Sequence, residues 1–222
     1  QSTQSGNTCR SIRNRRLSRS NRVCAAATAV STSKACGMQW FDEVHKRFWG
    51  MAGFTQQLQA ENFLLVQTKP SDFEPLFKVA SDPLIWEQHP ARDRWRPEVF
   101  SAFFDDGLSN DLGCFTIVDS QFHSVIGSTR FYAHDPSNAS VRLGYTFLAR
   151  RYWGTGANQL IKTALLDYCF QFVESVYFDI GASNFRTIKA TEKLGAVFWE
   201  QAEKGKSVYL LSRAAFLERR PL

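Results

Sequence analysis

No stretch of about eighteen consecutive apolar residues occurs in the 222-residue chain, so the sequence offers no helix long and apolar enough to cross a bilayer. The five cysteines, Cys9, Cys24, Cys36, Cys114 and Cys169, are odd in number and form no Cys-x-x-Cys pair. Neither a disulfide framework nor a metal site is expected from them. Cys114 and Cys169 lie in apolar contexts and read as small core residues. Residues 1–37 contain no acid and no Phe, Tyr or Trp. Without aromatics that segment lacks the stacking platforms of a single-stranded nucleic-acid binder. It also lacks the apolar core of a secretion signal. Methionine occurs only at Met38 and Met51, and either could be the natural start.

The net charge of +6 is concentrated. Residues 1–50 carry nine Lys and Arg against two acids, and the rest of the chain carries 18 against 19. A chain-wide basic surface for nucleic acid is therefore not indicated. Residues 1–50 are expected to be a disordered basic extension, rich in Ser and Arg over 1–37. Three origins fit it: an organellar transit peptide, upstream sequence translated through a misplaced start, or a nucleic-acid arm. Residues 51–222 are expected to form one domain, with its core at about 60–215. Hydrophobic residues at 44% and nineteen Phe are enough for a packed, aromatic-rich core. The expected location is cytoplasmic, or organellar if residues 1–37 are a transit peptide.

The pattern becomes ordered from Gln59. Phe63–Val66 reads as a strand. Ser71 as N-cap with Glu74 closing a capping box predicts a helix with Leu76, Phe77 and Ala80 inward. Ser81-Asp82-Pro83 restarts a short helix through Trp86, and Arg96-Pro97-Glu98 opens another through Phe100, Phe103 and Phe104. Phe115–Val118 and Val125–Tyr132 read as a hairpin. Between Val141 and Ala149, residues Val141, Leu143, Tyr145, Phe147 and Ala149 alternate with the others, predicting a strand with Tyr145 on its apolar side. From Ala157 the period becomes helical, with Leu160, Ile161, Ala164, Leu165, Tyr168, Cys169 and Phe172 on one face. Val176–Ile180 is a β-rich run. Asn184 starts a helix that ends at Leu194, with Gly195 as its C′ residue. Val197–Trp199 and Val208–Leu211 complete the pattern as short strands.

The chemistry-bearing segment is Arg151-Tyr152-Trp153-Gly154-Thr155-Gly156-Ala157, which joins a strand to a helix. Glycines there permit close backbone approach, and a helix start presents unpaired N–H groups to phosphate oxygens. A tight turn with no ligand satisfies the local pattern equally well. A Walker loop is excluded because no Gly-Lys-Ser/Thr follows, and a dinucleotide fingerprint because position 159 is Gln159. What remains is R-x-x-G-x-G. Thirty residues on stand Asn184-Phe185-Arg186-Thr187 and Glu192-Lys193-Leu194-Gly195-Ala196.

These two segments in this order resemble the GNAT acetyltransferases, whose acyl-CoA loop reads Q/R-x-x-G-x-G/A. Gly144-Tyr145 and Trp153 are similar to the branch that includes the ribosomal-protein N-terminal acetyltransferases. The resemblance implies an α/β fold with a mixed, mostly antiparallel sheet, helices on both faces, and a splayed parallel pair formed by Val141–Ala149 and Val176–Ile180. It implies acetyl-CoA as co-substrate. Its pantetheine would lie along the backbone of Phe147, Leu148 and Ala149, and its pyrophosphate on the amides of Arg151–Ala157. Asn184 and Arg186 would contact the cofactor, and Asn184 also reads as a plain N-cap. The implied activity is N-acyl transfer from acetyl-CoA to a primary amine, on a protein N-terminus or a small molecule, by direct attack in a ternary complex. The chain would act as a monomer or homodimer, with no nucleic acid and no membrane as partner.

The sequence also departs from that family. A Glu two residues before the Gly-Tyr pair often serves as base, and here Arg142 stands there. A tyrosine acid four residues before the glycine of the last helix is replaced by Thr191. Arg142 either holds an anionic acceptor or pairs with a neighbouring acid. Asn184, and His89 in the insert where the family builds its acceptor pocket, remain as catalytic candidates. A catalytically degenerate acyl-CoA-binding or interaction module is the alternative.

Overall fold

The computed structural model describes residues 57–219, and the expectations for residues 1–50 and for the start at Met51 lie outside them. Eight strands form one sheet: β1 (Leu58–Ala60), β2 (Phe63–Gln67), β3 (Cys114–Asp119), β4 (Ser124–Asp135), β5 (Ser140–Leu148), β6 (Ser175–Gly181), β7 (Val197–Ala202) and β8 (Lys206–Ser212). Their order is β1-β2-β3-β4-β5-β6-β8-β7. Every neighbouring pair is antiparallel except β5–β6. Helices α1 (Phe73–Ala80) and α2 (Pro97–Leu108) join β2 to β3, α3 (Ala157–Cys169) joins β5 to β6, α4 (Phe185–Lys193) joins β6 to β7, and α5 (Arg213–Glu218) follows β8.

Helices cover both faces of the sheet. On one, Ile161, Leu165, Leu166 and Cys169 of α3 and Phe216 of α5 pack with Leu65, Ile117, Phe131, Leu143 and Val176. On the other, Leu76 and Ala80 of α1 and Phe100 and Phe104 of α2 enclose Trp86 and Phe147. The strand expectations hold, β7 and β8 being longer than expected. The Asn184 cap is present, its Oδ1 accepting the Thr187 N–H at 3.2 Å. Gly195 lies at φ +101°, the left-handed C′ position that favours glycine.

Two local expectations need correction. Helix α1 is not started by a Ser71–Glu74 box. A 3-10 turn over Pro70–Asp72 precedes it, and Asp72 Oδ2 accepts the Lys69 N–H at 3.0 Å and the Thr116 hydroxyl at 2.9 Å. A carboxylate that ties the helix start to the buried Thr116 of β3 outcompetes a solvent-facing serine. The second correction concerns β5. Ser128 pairs with Phe147 but Arg130 with Gly144, so β5 carries one extra residue. Tyr145 absorbs it at φ +54°, and the face alternation reverses there. Val141 and Leu143 face α3, whereas Phe147 lies in the α1–α2 cluster and Leu148 returns to the α3 side. Tyr145 is therefore half-exposed and not part of the apolar row.

The capping assignment predicts that Asp72→Ala destabilises the domain by about 1–2 kcal/mol, in the range of lost caps. Ser71→Ala should change it by less than about 0.5 kcal/mol, as surface substitutions do. Urea unfolding of both variants decides; an equal loss in the two would contradict the assignment.

Candidate active site

Strands β5 and β6 hydrogen-bond only through Ser140–Arg142 and Ser175–Tyr177. Beyond that register β5 runs on to Leu148 and β6 to Gly181 without pairing to each other, each still held by its outer neighbour, leaving a V whose walls carry backbone groups. At its open end β5 passes into the glycine loop. Gly154 and Gly156 adopt φ of +76° and +89°, and a Cβ built on either would meet nothing within 4 Å. Gly156 is the N-cap of the 13-residue α3. An open concavity therefore lies before a helix start, the arrangement that suits phosphate oxygens. The loop is braced from behind. Thr155 Oγ1 donates to the Tyr152 carbonyl at 2.8 Å, Trp153 Nε1 to the Leu148 carbonyl at 3.1 Å, and the Tyr152 hydroxyl to Asp119 at 2.7 Å.

The structure brings most of the expected ligand-contact residues to this region. Phe147 and Leu148 are buried in opposite clusters, so any role in binding falls to their backbone. The backbone groups of Ala149 are engaged within the protein: its N–H donates to the Ile126 carbonyl and its C=O accepts from the Tyr152 N–H. Arg151 turns away toward Ser124, 3.2 Å from its hydroxyl. Arg186 stacks on Trp153, 3.7 Å from the ring centroid, and its Nη2 reaches the Ile85 carbonyl at 3.5 Å. Burial first, against the pull of Glu87, lowers its pKa. Asn184 is buried; its cap occupies Oδ1 and leaves the amide NH2 for a ligand.

His89 lies in the insert between α1 and α2. Its Nδ1 accepts the Ala91 N–H at 2.9 Å, which assigns the ring proton of the neutral form to Nε2. Desolvation, then Arg94 and Lys206, push its pKa down to about 4. Such an imidazole is a weak base at neutral pH, and the nitrogen facing Arg94 at 3.4 Å already carries the proton. Arg142 pairs with Asp179 of β6, which also accepts the Tyr132 hydroxyl at 3.0 Å. Of its two readings, the ion pair with a neighbouring acid is the one present. Thr191 is buried.

Sequence reasoning missed Lys162. Its side chain enters the α3 face of the bulge, with Nζ 2.6 Å from Thr146 Oγ1 and 3.5 Å from Thr129 Oγ1. Both threonine hydroxyls lie 3.3 Å from the Gly144 carbonyl, so the lysine secures the irregular turn of β5. The only signal was its position between Ile161 and Leu165, on the flank of the apolar stripe. Burial pushes its pKa from 10.5 down to about 7, with the Cys169 thiol acting in the opposite sense.

That depression predicts a pH-dependent stability. Below about pH 7 the lysine is protonated folded and unfolded, so its burial penalty is fully present. Between about 7 and 10.5 the unfolded chain binds the extra proton, and stability rises with pH. The full effect is on the order of 5 kcal/mol at about 1.36 kcal/mol per pKa unit. Denaturant unfolding of wild type and Lys162→Met should show wild type gaining on the variant between pH 7 and 10. A difference independent of pH would contradict the assignment.

The comparisons agree with this geometry. The family described as the acetyltransferase (GNAT) domain matches residues 62–197. A search of the curated proteins finds no match. Among solved structures, a GCN5-related N-acetyltransferase from Brucella melitensis aligns with a TM-score of 0.65 and 15% identity over 73% of this chain and 81% of its own. A GNAT-family acetyltransferase from Bacillus anthracis gives 0.59 and 14% over 71% and 98%. The spermidine N-acetyltransferase from Vibrio cholerae, solved with CoA and spermine, gives 0.57 and 14% over 70% and 98%. At these identities the structural likeness speaks for the fold alone. The family match spans more than half of the chain, and with it the splayed strands and the glycine loop find their place: the chain belongs to the GNAT acetyltransferase family.

Proposed function

We propose that this domain transfers the acetyl group of acetyl-CoA to a primary amine, within a ternary complex and without a covalent enzyme intermediate. The observation that carries the reading is the V between β5 and β6 running into an open glycine loop at the N-terminus of α3. Pyrophosphate would rest on the amides between Arg151 and Ala157, with pantetheine along the Phe147–Leu148 backbone. Asn184 offers its amide NH2, and Arg186 and Trp153 together wall one side of the mouth. No cluster of His, Cys, Asp and Glu that could hold a metal occurs among the described residues, and the reaction proposed uses none.

The amine, with a pKa near about 10.4 for an alkyl ammonium, must reach the thioester carbonyl unprotonated. Backbone N–H groups of β5 left unpaired by the splay supply the oxyanion donors. Arg142 cannot be the base, since a guanidinium stays protonated, and His89 is held in a form that binds protons weakly. Proton removal therefore falls to water or to ionisation of the substrate, with Asn184 as an orienting group. The Asn184–Thr187 and Glu192–Ala196 segments favour the branch that resembles the ribosomal-protein N-terminal acetyltransferases. Acceptors of the protein N-terminus class and small amines both suit the scaffold. We place the protein in the cytoplasm as monomer or homodimer. Its folding unit starts near residue 51, and the preceding extension is dispensable for folding.

Two measurements test these statements. Wild type should bind acetyl-CoA in calorimetry and release CoA when a responsive amine is added. Gly154→Val with Gly156→Val should abolish binding while the protein stays folded, because branched side chains strain φ near +76° and +89° and fill the cradle. Unchanged affinity in the folded double variant would remove the loop from the site. CoA binding without release for any amine would favour a non-catalytic binding module. Deleting residues 1–50 should leave a melting temperature within about 3 °C of the full chain, about 1 kcal/mol for a domain of this size; aggregation or unfolding of the truncated chain would move the boundary.

A further inference from the structure

Two guanidinium groups converge beside Tyr145 on the α2 face of the bulge, and only one of them is paired with a carboxylate. Arg130 is buried. Its guanidinium lies 3.6 Å from the Tyr145 ring centroid and 5.3 Å from that of Phe103, and its Nη2 pairs with Asp106 at 2.5 Å. The buried Nε of Arg130 has no hydrogen-bond partner. Arg94 lies 4.5 Å from the Phe103 centroid, 5.5 Å from Trp86 and 5.8 Å from Tyr145. Among the described residues no carboxylate is within ion-pair distance of it; Asp93 and Asp106 act on it only from farther away, and His89 Nε2, which already bears a proton, lies 3.4 Å from it. Burial is the main cause that lowers its pKa to about 10, so it remains a cation at neutral pH. Arg94 is half-buried, and a charge that forfeits part of its hydration is ordinarily paired.

A cavity of about 380 Å³ opens against this cluster, lined by Asp106, Asn110, Arg130, Tyr132 and Tyr145 among others. The Asp106 side chain is 67% exposed and Asp111 is exposed, whereas the Arg130 wall of the cavity is buried; Arg94 stands outside the lining residues, across the Tyr145 ring from them. Tyr145 belongs to β5, two residues before Phe147, where the splay bares the backbone. An acceptor in the cavity therefore lies next to the place where the acetyl thioester would lie.

We propose that Arg94 and Arg130, with Tyr145 between them, form the specificity site for a carboxylate on the acceptor, so that the substrates are amino acids or peptides presenting an acidic group near the reacting amine. The proposal rests on the acetyltransferase reading and narrows it. A planar guanidinium takes a carboxylate in a two-point hydrogen-bonded pair. Anchoring the acid against Arg94 while the amine reaches toward β5 would supply the missing counter-charge. Arg142, neutralised by Asp179, does not serve this purpose.

The test uses the full chain with acetyl-CoA and a panel of the common amino acids, their carboxamides and spermidine, reading CoA release. Calorimetry of the same amines on CoA-loaded protein runs alongside. The amine of a carboxamide is the less basic of each pair and is more deprotonated at neutral pH, so intrinsic reactivity runs against the predicted preference. Wild type should favour acids over amides by about tenfold to a hundredfold in kcat/KM, the range for hydrogen bonds to a charged group. Arg94→Gln should reduce that preference to about twofold or less, mainly through KM, and Arg94→Lys should retain part of it. Arg94 sits on a half-buried loop, so these variants keep the test usable if Arg130→Gln fails to fold.

CoA release that is equal for acids and amides, or best with spermidine, overturns the carboxylate site and leaves the acetyltransferase reading intact. A preference for acids that survives in Arg94→Gln overturns it likewise. Acids that bind in an Arg94-dependent way without CoA release for any amine support the site and overturn acyl transfer. Neither binding nor release overturns both.

Discussion

Parallel pairing between β5 and β6 stops after Arg142 and Tyr177, while the backbone of both strands continues. Three consequences follow from that interruption. The β5 edge facing β6 keeps unpaired polar groups, which is stable only where a ligand or water can reach them. The extra residue at Tyr145 turns one aromatic side chain out of the apolar row and onto the α2 face. The strand also arrives at the glycine loop at the height of the α3 N-terminus, so the unpaired edge and the helix start line one continuous concavity.

Charge is distributed around the same bulge. On the α3 side a buried lysine braces it through two threonine hydroxyls. On the α2 side Arg130 and Arg94 stack against Phe103 and Tyr145. Toward β6, Arg142 is neutralised by Asp179. Burial also raises the pKa of Tyr132, with Asp179 adding to the effect, so that phenol stays protonated and serves as a fixed donor. The 85–90 segment joins this arrangement to the loop: Arg186 lies on Trp153 and touches the Ile85 carbonyl and, through its N–H, Gln88.

Much of the fold was legible because its signals are local. The alternation from Val141 to Leu143, the β-rich run at Val176–Ile180, the period near 3.6 in α3, the Asn184 cap and the Gly195 stop each depend on a few neighbouring residues, and each is present. The α1 start was misread because Asp72 is fixed by Thr116, 44 positions away, a partner no local pattern contains. Tyr145 was misread because a bulge reverses alternation without changing composition. Arg94 stands in a run of alternating charges, Arg92-Asp93-Arg94, that reads as solvated surface. Its place beneath Trp86 and Phe103 is set by how the insert folds over the sheet. The glycine loop was legible as a ligand-approach motif, whereas Arg94, Phe103, Arg130 and Tyr145 come from four separate segments and meet only in three dimensions.

The most direct test of the central claim is residue-resolved hydrogen exchange of the β5 and loop amides, with and without saturating acetyl-CoA. The account predicts that N–H groups of Leu143–Leu148 facing β6, and those of Gly154–Ala157, exchange quickly in the free protein and become protected when acetyl-CoA binds. Those of Ser140–Arg142 should be protected in both states. Protection of the whole of β5 in the free protein, or no change at these amides under saturating acetyl-CoA, would contradict it.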